Sequence, residues 1–93
     1  MDQQHTNKTV QQYAVTFIYS HECPATYICD SYEEATMMLS DNFDFMILEY
    51  NSLRRGSIIR YINAEKTCAE IEFQDSISGI VETTQIYVSP IHL

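Results

Sequence analysis

The sequence predicts an α+β domain in which one helix packs on a face of a mostly antiparallel sheet, in the order β-β-α-β-β-β. Short segments of alternating apolar residues indicate strands, and one stretch of about twenty residues repeats apolar side chains every three or four positions. Turn-forming residues separate these segments. With 93 residues, 45% of them hydrophobic, the chain is expected to form a single domain around one core.

The first half of the chain begins with two predicted strands. Residues 12–20 are dominated by aromatic and β-branched side chains with two apolar faces, which favours a position inside the sheet. ATYIC, residues 25–29, predicts a second, shorter strand, with Pro24 in the connection. The polar residues 1–10 are expected to form a flexible lead-in.

Residues 31–50 predict the helix. Asp30 and Ser31 each precede a glutamate, Glu33 or Glu34, by three positions, and either pairing makes a capping box at the positive end of the helix dipole. Residues 44–50, DFMILEY, also fit a separate strand, and the sequence leaves that alternative open. The side chains expected to face the core fall within an arc of about 80°; they are Tyr32, Ala35, Leu39, Phe43, Met46 and Tyr50.

The segment NSLRRG is expected to end the helix. Arg54 and Arg55 follow its negative end, and Gly56 suits the residue that stops a helix. Three strands are predicted after it, at residues 57–62, 67–74 and 80–88, with Pro90 closing the last one.

Within these three strands, alternation predicts which side chains face the core. Ala69, Ile71 and Phe73 point one way and Glu70 and Glu72 the other. Because residues 57–62 and 67–74 form a predicted hairpin, Arg60 is expected to pair with these glutamates across the strands.

The stretch HECPATYIC, residues 21–29, contains a histidine and two of the three cysteines. If residues 25–29 form a strand, the Cα atoms of Cys23 and Cys29 lie up to about 20 Å apart, too far to share one zinc ion. We therefore interpret this stretch as a strand connection with Cys29 in the core, and expect no metal and no cofactor. A metal or thiol site that joins His21, Cys23 and Cys68 is the alternative.

The charge distribution bears on the kind of partner. Thirteen acidic residues and five basic ones give a net charge of −8, and no Lys or Arg lies between Lys8 and Arg54. Direct binding to nucleic acid or to an anionic membrane is disfavoured, because both require cations. A basic protein is the natural complement. No catalytic or phosphate-binding motif is present, so we expect a protein that is not an enzyme.

The helix face opposite the core side carries the candidate binding residues. Acidic side chains spread over an arc of about 160° there, with large apolar side chains between them. A solvated face would account for the acids but not for apolar residues such as Met37, Met38, Phe45 and Leu48. The predicted partner-binding residues are Asp30, Glu33, Glu34, Met37, Asp41, Asp44, Phe45 and Glu49.

The run TYICDSYEEATMMLSDNF, about a fifth of the chain, resembles a strand-to-helix junction in small proteins encoded by phages and mobile elements of Gram-positive bacteria. Small size, acidity and the expected absence of catalytic groups also resemble anti-CRISPR and related anti-defence inhibitors. The resemblance implies binding to a basic nucleic-acid site on a CRISPR effector or another defence nuclease, with carboxylates in place of phosphates.

Two further expectations concern location and assembly. An odd number of cysteines without framework spacing favours a reducing compartment, here the cytoplasm of a bacterial host. As an alternative function, the chain could be a structural module of phage or mobile-element origin that forms a homodimer or larger assembly. Such an assembly is expected to use a free sheet edge at the last predicted strand, residues 80–88.

Overall fold

Five antiparallel strands form one sheet, and a helix crosses one of its faces. The computed structural model describes residues 11–92, so the expected lead-in at residues 1–10 lies outside the described residues. The order across the sheet is β2-β1-β5-β4-β3. The predicted α+β class and element order are confirmed. The elements are β1 (Tyr13–Tyr19), β2 (Ala25–Cys29), α1 (Tyr32–Leu53), β3 (Gly56–Ile62), β4 (Cys68–Asp75) and β5 (Val81–Pro90).

The helix is continuous to Leu53, so residues 44–50 are helical and the alternative of a separate strand is wrong. Most of the predicted core-facing residues are confirmed: Ala35, Leu39 and Phe43 are buried, and Met46 and Tyr50 are partly buried against the core. Tyr32 is more exposed, and its ring contacts Tyr13 edge to face. Ile47, which was not among the predicted core-facing residues, is also buried, with 7% of its surface exposed.

The end of the helix differs from the prediction. Arg54 has φ 55°, and its backbone N–H donates to the Asn51 carbonyl, so Arg54 takes the left-handed position usually given to glycine. Gly56 instead begins β3. A Cβ atom there would lie 2.7 Å from the Phe73 ring and even nearer the Gln74 carbonyl oxygen. Close strand packing, and not helix termination, therefore requires glycine at this position.

Alternation along β4 was predicted correctly. Ala69, Ile71 and Phe73 are buried beneath the helix, while Glu70 is exposed on the opposite face. The core also contains Val15 and Phe17 of β1, Cys29 of β2 and Ile86 of β5. Because the helix packs against all five strands, it covers one face of the sheet.

The position of β5 corrects the expectation of a free edge at the last strand. β5 lies between β1 and β4 and pairs with both. The two edges are β2 and β3. The turn composition of the sequence located each strand, but the order of the strands depends on pairing between residues far apart in the chain.

The predicted charge pair on the β3–β4 hairpin is wrong. Arg60 lies opposite Ile71, so its side chain is on the helix side of the sheet. Glu70 and Glu72 lie opposite Tyr61 and Ile59, on the other face. Strand pairing therefore directs the cation and the glutamates to opposite sides.

Candidate protein-interaction surface

Two of the predicted site residues, Asp30 and Glu34, form hydrogen bonds that stabilise the start of the helix. Ser31 is the N-cap, and its Oγ accepts a hydrogen bond of 3.0 Å from the backbone N–H of Glu34. Glu34 Oε1 in turn accepts from the Asp30 backbone N–H, at 3.4 Å. Asp30 Oδ1 accepts from Gln12 Nε2 at 2.9 Å, which links the helix start to the residue that precedes β1. Ser31 thus caps the helix, but the return bond of Glu34 goes to Asp30, the residue before the N-cap, and not to the Ser31 N–H as in a standard capping box. Asp30 and Glu34 both contribute to helix initiation.

The outermost side of α1 combines carboxylates with exposed apolar side chains. Met37, Phe45 and Leu48 are 62%, 59% and 68% exposed. These residues and the neighbouring exposed acids recur at steps of three and four, so they project from one side of the helix. We call this surface the outer stripe; it consists of Glu33, Met37, Asp41, Asp44, Phe45 and Leu48. At a rise of 1.5 Å per residue it is about 22 Å long.

Met38 was predicted to be one of the outward apolar residues, but it does not belong to the outer stripe. It is partly buried, packs against the core and borders a groove between the helix and β1 and β2. The groove has a volume of about 220 Å³ and is lined by Phe17, Tyr19, Tyr27, Met38 and Asn42.

Few described cations lie close enough to neutralise the carboxylates of the outer stripe. The helix itself contains no Lys or Arg. Lys66, from the β3–β4 turn, reaches a shallow depression that Glu33, Met37 and Asp41 also line, but it forms no ion pair with a described carboxylate. Three negative charges consequently lie along this stripe, and mutual repulsion between them opposes folding.

Glu49 lies apart from the other predicted site residues. It borders a separate cleft of about 240 Å³ between the second half of the helix and the ends of β1 and β5. Glu22 and Glu82 also line this cleft, together with Tyr19 and Tyr50. Three carboxylates beside two aromatic rings are suited to a guanidinium or ammonium group.

Hydrogen bonding and stacking position the cleft residues. The Tyr50 hydroxyl donates to Glu82 Oε1 at 3.2 Å, and the Tyr50 ring stacks on Phe73 with 4.4 Å between centroids. Burial, reinforced by the charge of Glu82, raises the pKa of Tyr50. His21 Nε2 lies 3.1 Å from the Val81 carbonyl oxygen at the same end of the sheet. Sequence reasoning missed this cleft, because no local pattern connects Glu22 and Glu82 with Glu49.

The cysteines occupy three different environments. Cys29 is buried in the core, as predicted, and residues 25–29 form the predicted strand. Burial raises the pKa of the Cys29 thiol, and Glu34 and Asp30 reinforce that shift. Cys23 is exposed and Cys68 is half-buried. Within residues 11–92, no three His, Cys, Asp or Glu side chains are arranged to hold a metal ion.

Comparison with known proteins gives no relatives from which residue roles can be inferred. The chain matches no protein-family model, and neither curated proteins nor solved structures gave a significant match. In the described part of the chain, no helix is both long and apolar enough to cross a membrane.

Proposed function

We propose that this protein is a non-enzymatic interaction protein whose outer stripe binds a basic, nucleic-acid-binding surface of another protein. The observation that carries the proposal is the exposure of Met37, Phe45 and Leu48 among the carboxylates of one helix side. A helix side that only faces water has no need of three large apolar side chains. Their burial against a partner would contribute about 1.5–3 kcal/mol each before the costs of association.

The acidic residues of the outer stripe would orient the protein toward its partner and raise the association rate. Glu33, Asp41 and Asp44 present charges that attract lysines and arginines of a basic groove, as phosphates do. Since exposed charges are screened beyond about 8 Å at physiological ionic strength, binding should weaken as salt rises. The acidic cleft at Glu49 would take a cationic side chain at the margin of the same interface.

The resemblance to anti-defence inhibitors narrows the proposed partner to a CRISPR effector or another nuclease of a bacterial defence system. That resemblance rests on the segment at residues 26–43 and on the size and acidity of the chain. In such a complex the acidic stripe would occupy the channel that normally holds nucleic acid, and would inhibit by exclusion.

A self-assembling structural module is the second candidate, and it now requires β2 or β3, since β5 is an interior strand. This candidate leaves the exposed apolar residues on the helix without a role. Mass measured over a wide concentration range distinguishes the two. Only a self-assembling module should increase in mass on concentration.

Affinity capture from bacterial lysate at low and high salt tests the proposal. The wild type should retain a basic nucleic-acid-binding protein at low salt, release it at high salt and lose it to added DNA or RNA. The variant Asp41→Lys/Asp44→Lys should not retain that protein. Glu70→Lys/Glu72→Lys, an equal charge change on the open sheet face, is the matched control. Equal capture by both variants would contradict the proposal.

A further inference from the structure

Strand β3 forms a sheet edge that no described segment covers. Its seven residues pair on one side with β4, and the strand order ends there. Most of its side chains are exposed. An edge of this length with open backbone groups readily pairs with another strand unless something blocks it.

Two hydrogen bonds determine which backbone groups of β3 are open. The Asn63 N–H donates to the Cys68 carbonyl at 3.0 Å, and the Ser76 N–H donates to the Arg55 carbonyl at 2.8 Å. Hydrogen-bonded pairs alternate along an antiparallel ladder, so the odd-numbered residues of β3 bond to β4. Ile58, Arg60 and Ile62 therefore direct their N–H and C=O groups away from the sheet.

The cations of the described chain gather at this edge. Arg60 lies in β3, Arg54 and Arg55 immediately precede it, and Lys66 lies in the turn that follows. Residues 50–64 contain no Asp or Glu. Arg55 pairs with Asp75, which is the only ion pair within residues 11–92. The exposed Arg60 thus has no partner among the described carboxylates, in a protein with a net charge of −8.

The open sheet face beside this edge combines two exposed apolar side chains with the neighbouring Glu70 and Glu72 of β4, so an acidic side chain of an added strand is favoured only on the Arg60 side. Ile59 and Tyr61 are 67% and 56% exposed and lie on the face opposite the helix. A strand added to β3 would place alternate side chains beside these two residues and the others beside Arg60.

We propose that β3 accepts an extended acidic segment of another protein as a sixth strand. A carboxylate of that segment would lie across from Arg60, and β-branched residues would cover Ile59 and Tyr61. This interface differs from the outer stripe in using the backbone of a strand edge. Arg60 is its cation, since Lys66 lies beside Glu33 and Asp41 of the stripe and Arg55 pairs with Asp75. A second copy of this chain is a poorer occupant, because antiparallel pairing of two β3 strands would bring the two Arg60 side chains close together.

The other edge does not fit the same occupant. β2 has five residues, and Pro24 precedes it. Glu22 and Asp30 flank it and would repel an acidic segment. The charges beside the two edge strands therefore favour β3 over β2 as the binding edge for an acidic segment.

Amide hydrogen exchange of the full chain, followed by NMR, tests the proposal. The probe is the blocked peptide Thr-Val-Glu-Val-Glu-Val-Thr, and its control has Lys in place of each Glu. The amides of Ile58, Arg60 and Ile62 should exchange fast in the free protein and about tenfold more slowly when the acidic peptide is present at about ten times its Kd. The amides of Ile59 and Tyr61 should be slow throughout, and the Lys peptide should protect none of the three outward amides.

Two variants distinguish the contribution of the Arg60 side-chain charge to peptide binding from that of its backbone N–H. Arg60→Gln keeps the outward amide and should weaken binding of the acidic peptide, while Arg60→Pro removes that amide and should abolish it. Proline is compatible with an outward position of an edge strand. Equal protection by both peptides, or no protection by either, would overturn the proposal. Slow outward amides in the free, dilute protein would also overturn it, because the edge would then be covered already.

Discussion

The guanidinium of Arg55 lies with Nε 3.0 Å from Oδ2 of Asp75, and this ion pair joins the end of the helix to the β4–β5 turn. The other carboxylate oxygen accepts hydrogen bonds from the backbone N–H groups of Ile77 and Ser78, at 2.8 and 3.2 Å. Asp75 therefore organises the turn and holds it against the chain that leaves the helix.

The first prediction concerns the acid stability that Asp75 provides. The Ile77 and Ser78 amides and Arg55 lower its pKa, although burial opposes them. A lowered folded-state pKa stabilises the protein above the unfolded value of about 3.9, and this contribution disappears as the pH falls through the folded value. Asp75→Ala should unfold at lower urea concentration at pH 7 than Asp75→Asn, which keeps an acceptor. The difference between wild type and Asp75→Ala should shrink below pH 4. An unchanged difference would contradict this role.

The second prediction follows from the corrected helix end. Arg54→Gly should raise the free energy of unfolding by about 0.5 kcal/mol, because glycine adopts positive φ without the penalty of a side chain. Gly56→Ala should lower it by about 1–3 kcal/mol, because the added methyl group overlaps the Phe73 ring and the Gln74 carbonyl. Denaturant titration measures both. If Gly56 instead terminated the helix, the alanine variant would remove the stop and lengthen the helix, as detected by circular dichroism.

The third prediction compares two leucines on the same helix. Leu39 is 0% exposed and Leu48 is 68% exposed. Leu39→Ala should lower the free energy of unfolding by about 2–5 kcal/mol through loss of burial and creation of a cavity. Leu48→Ala should change it by less than about 0.5 kcal/mol. A large loss at Leu48 would mean that this side chain is buried in the isolated protein and is unavailable to a partner.

The fourth prediction concerns alkaline pH. The pKa of Tyr50 is raised in the folded chain, so its hydroxyl ionises less readily there than in the unfolded chain. The protonated hydroxyl therefore contributes to the free energy of unfolding fully below about pH 10, and this contribution is lost as the pH rises through the pKa of the folded state. Tyr50→Phe keeps the ring stacking on Phe73 and removes the ionisable group. Its free energy of unfolding should fall less than that of wild type between about pH 9 and pH 11. Tyr61→Phe, exposed on the open sheet face, is the control and should follow wild type.

The helix and strands could be predicted because their apolar periodicity depends only on residues that are close in the sequence. The three- and four-residue steps from Ala35 to Phe43 and the alternation from Ala69 to Phe73 each depend on neighbours in the chain. The outer stripe was predicted for the same reason: once the core side is known, Met37 and Phe45 must project away from it.

The features that were missed depend on contacts between distant segments. The interior position of β5 and the side on which Arg60 projects are set by strand order and register. The cleft at Glu49 requires Glu82 from β5 and Glu22 from the β1–β2 connection. Gly56 was predicted to end the helix because it follows the helical pattern directly. Its close approach to β4 could not be predicted, because that contact depends on strand pairing.

Binding of the outer stripe to a basic protein surface can be measured through the affinity of the captured partner for three proteins. Isothermal titration calorimetry over a range of salt concentrations would compare wild type, Asp41→Lys/Asp44→Lys and the control Glu70→Lys/Glu72→Lys. We expect the stripe variant to lose at least about a hundredfold in affinity, roughly 2.7 kcal/mol, and most of its salt dependence, while the control stays within about tenfold of wild type. Equal losses for both variants, or none for the stripe variant, would contradict it.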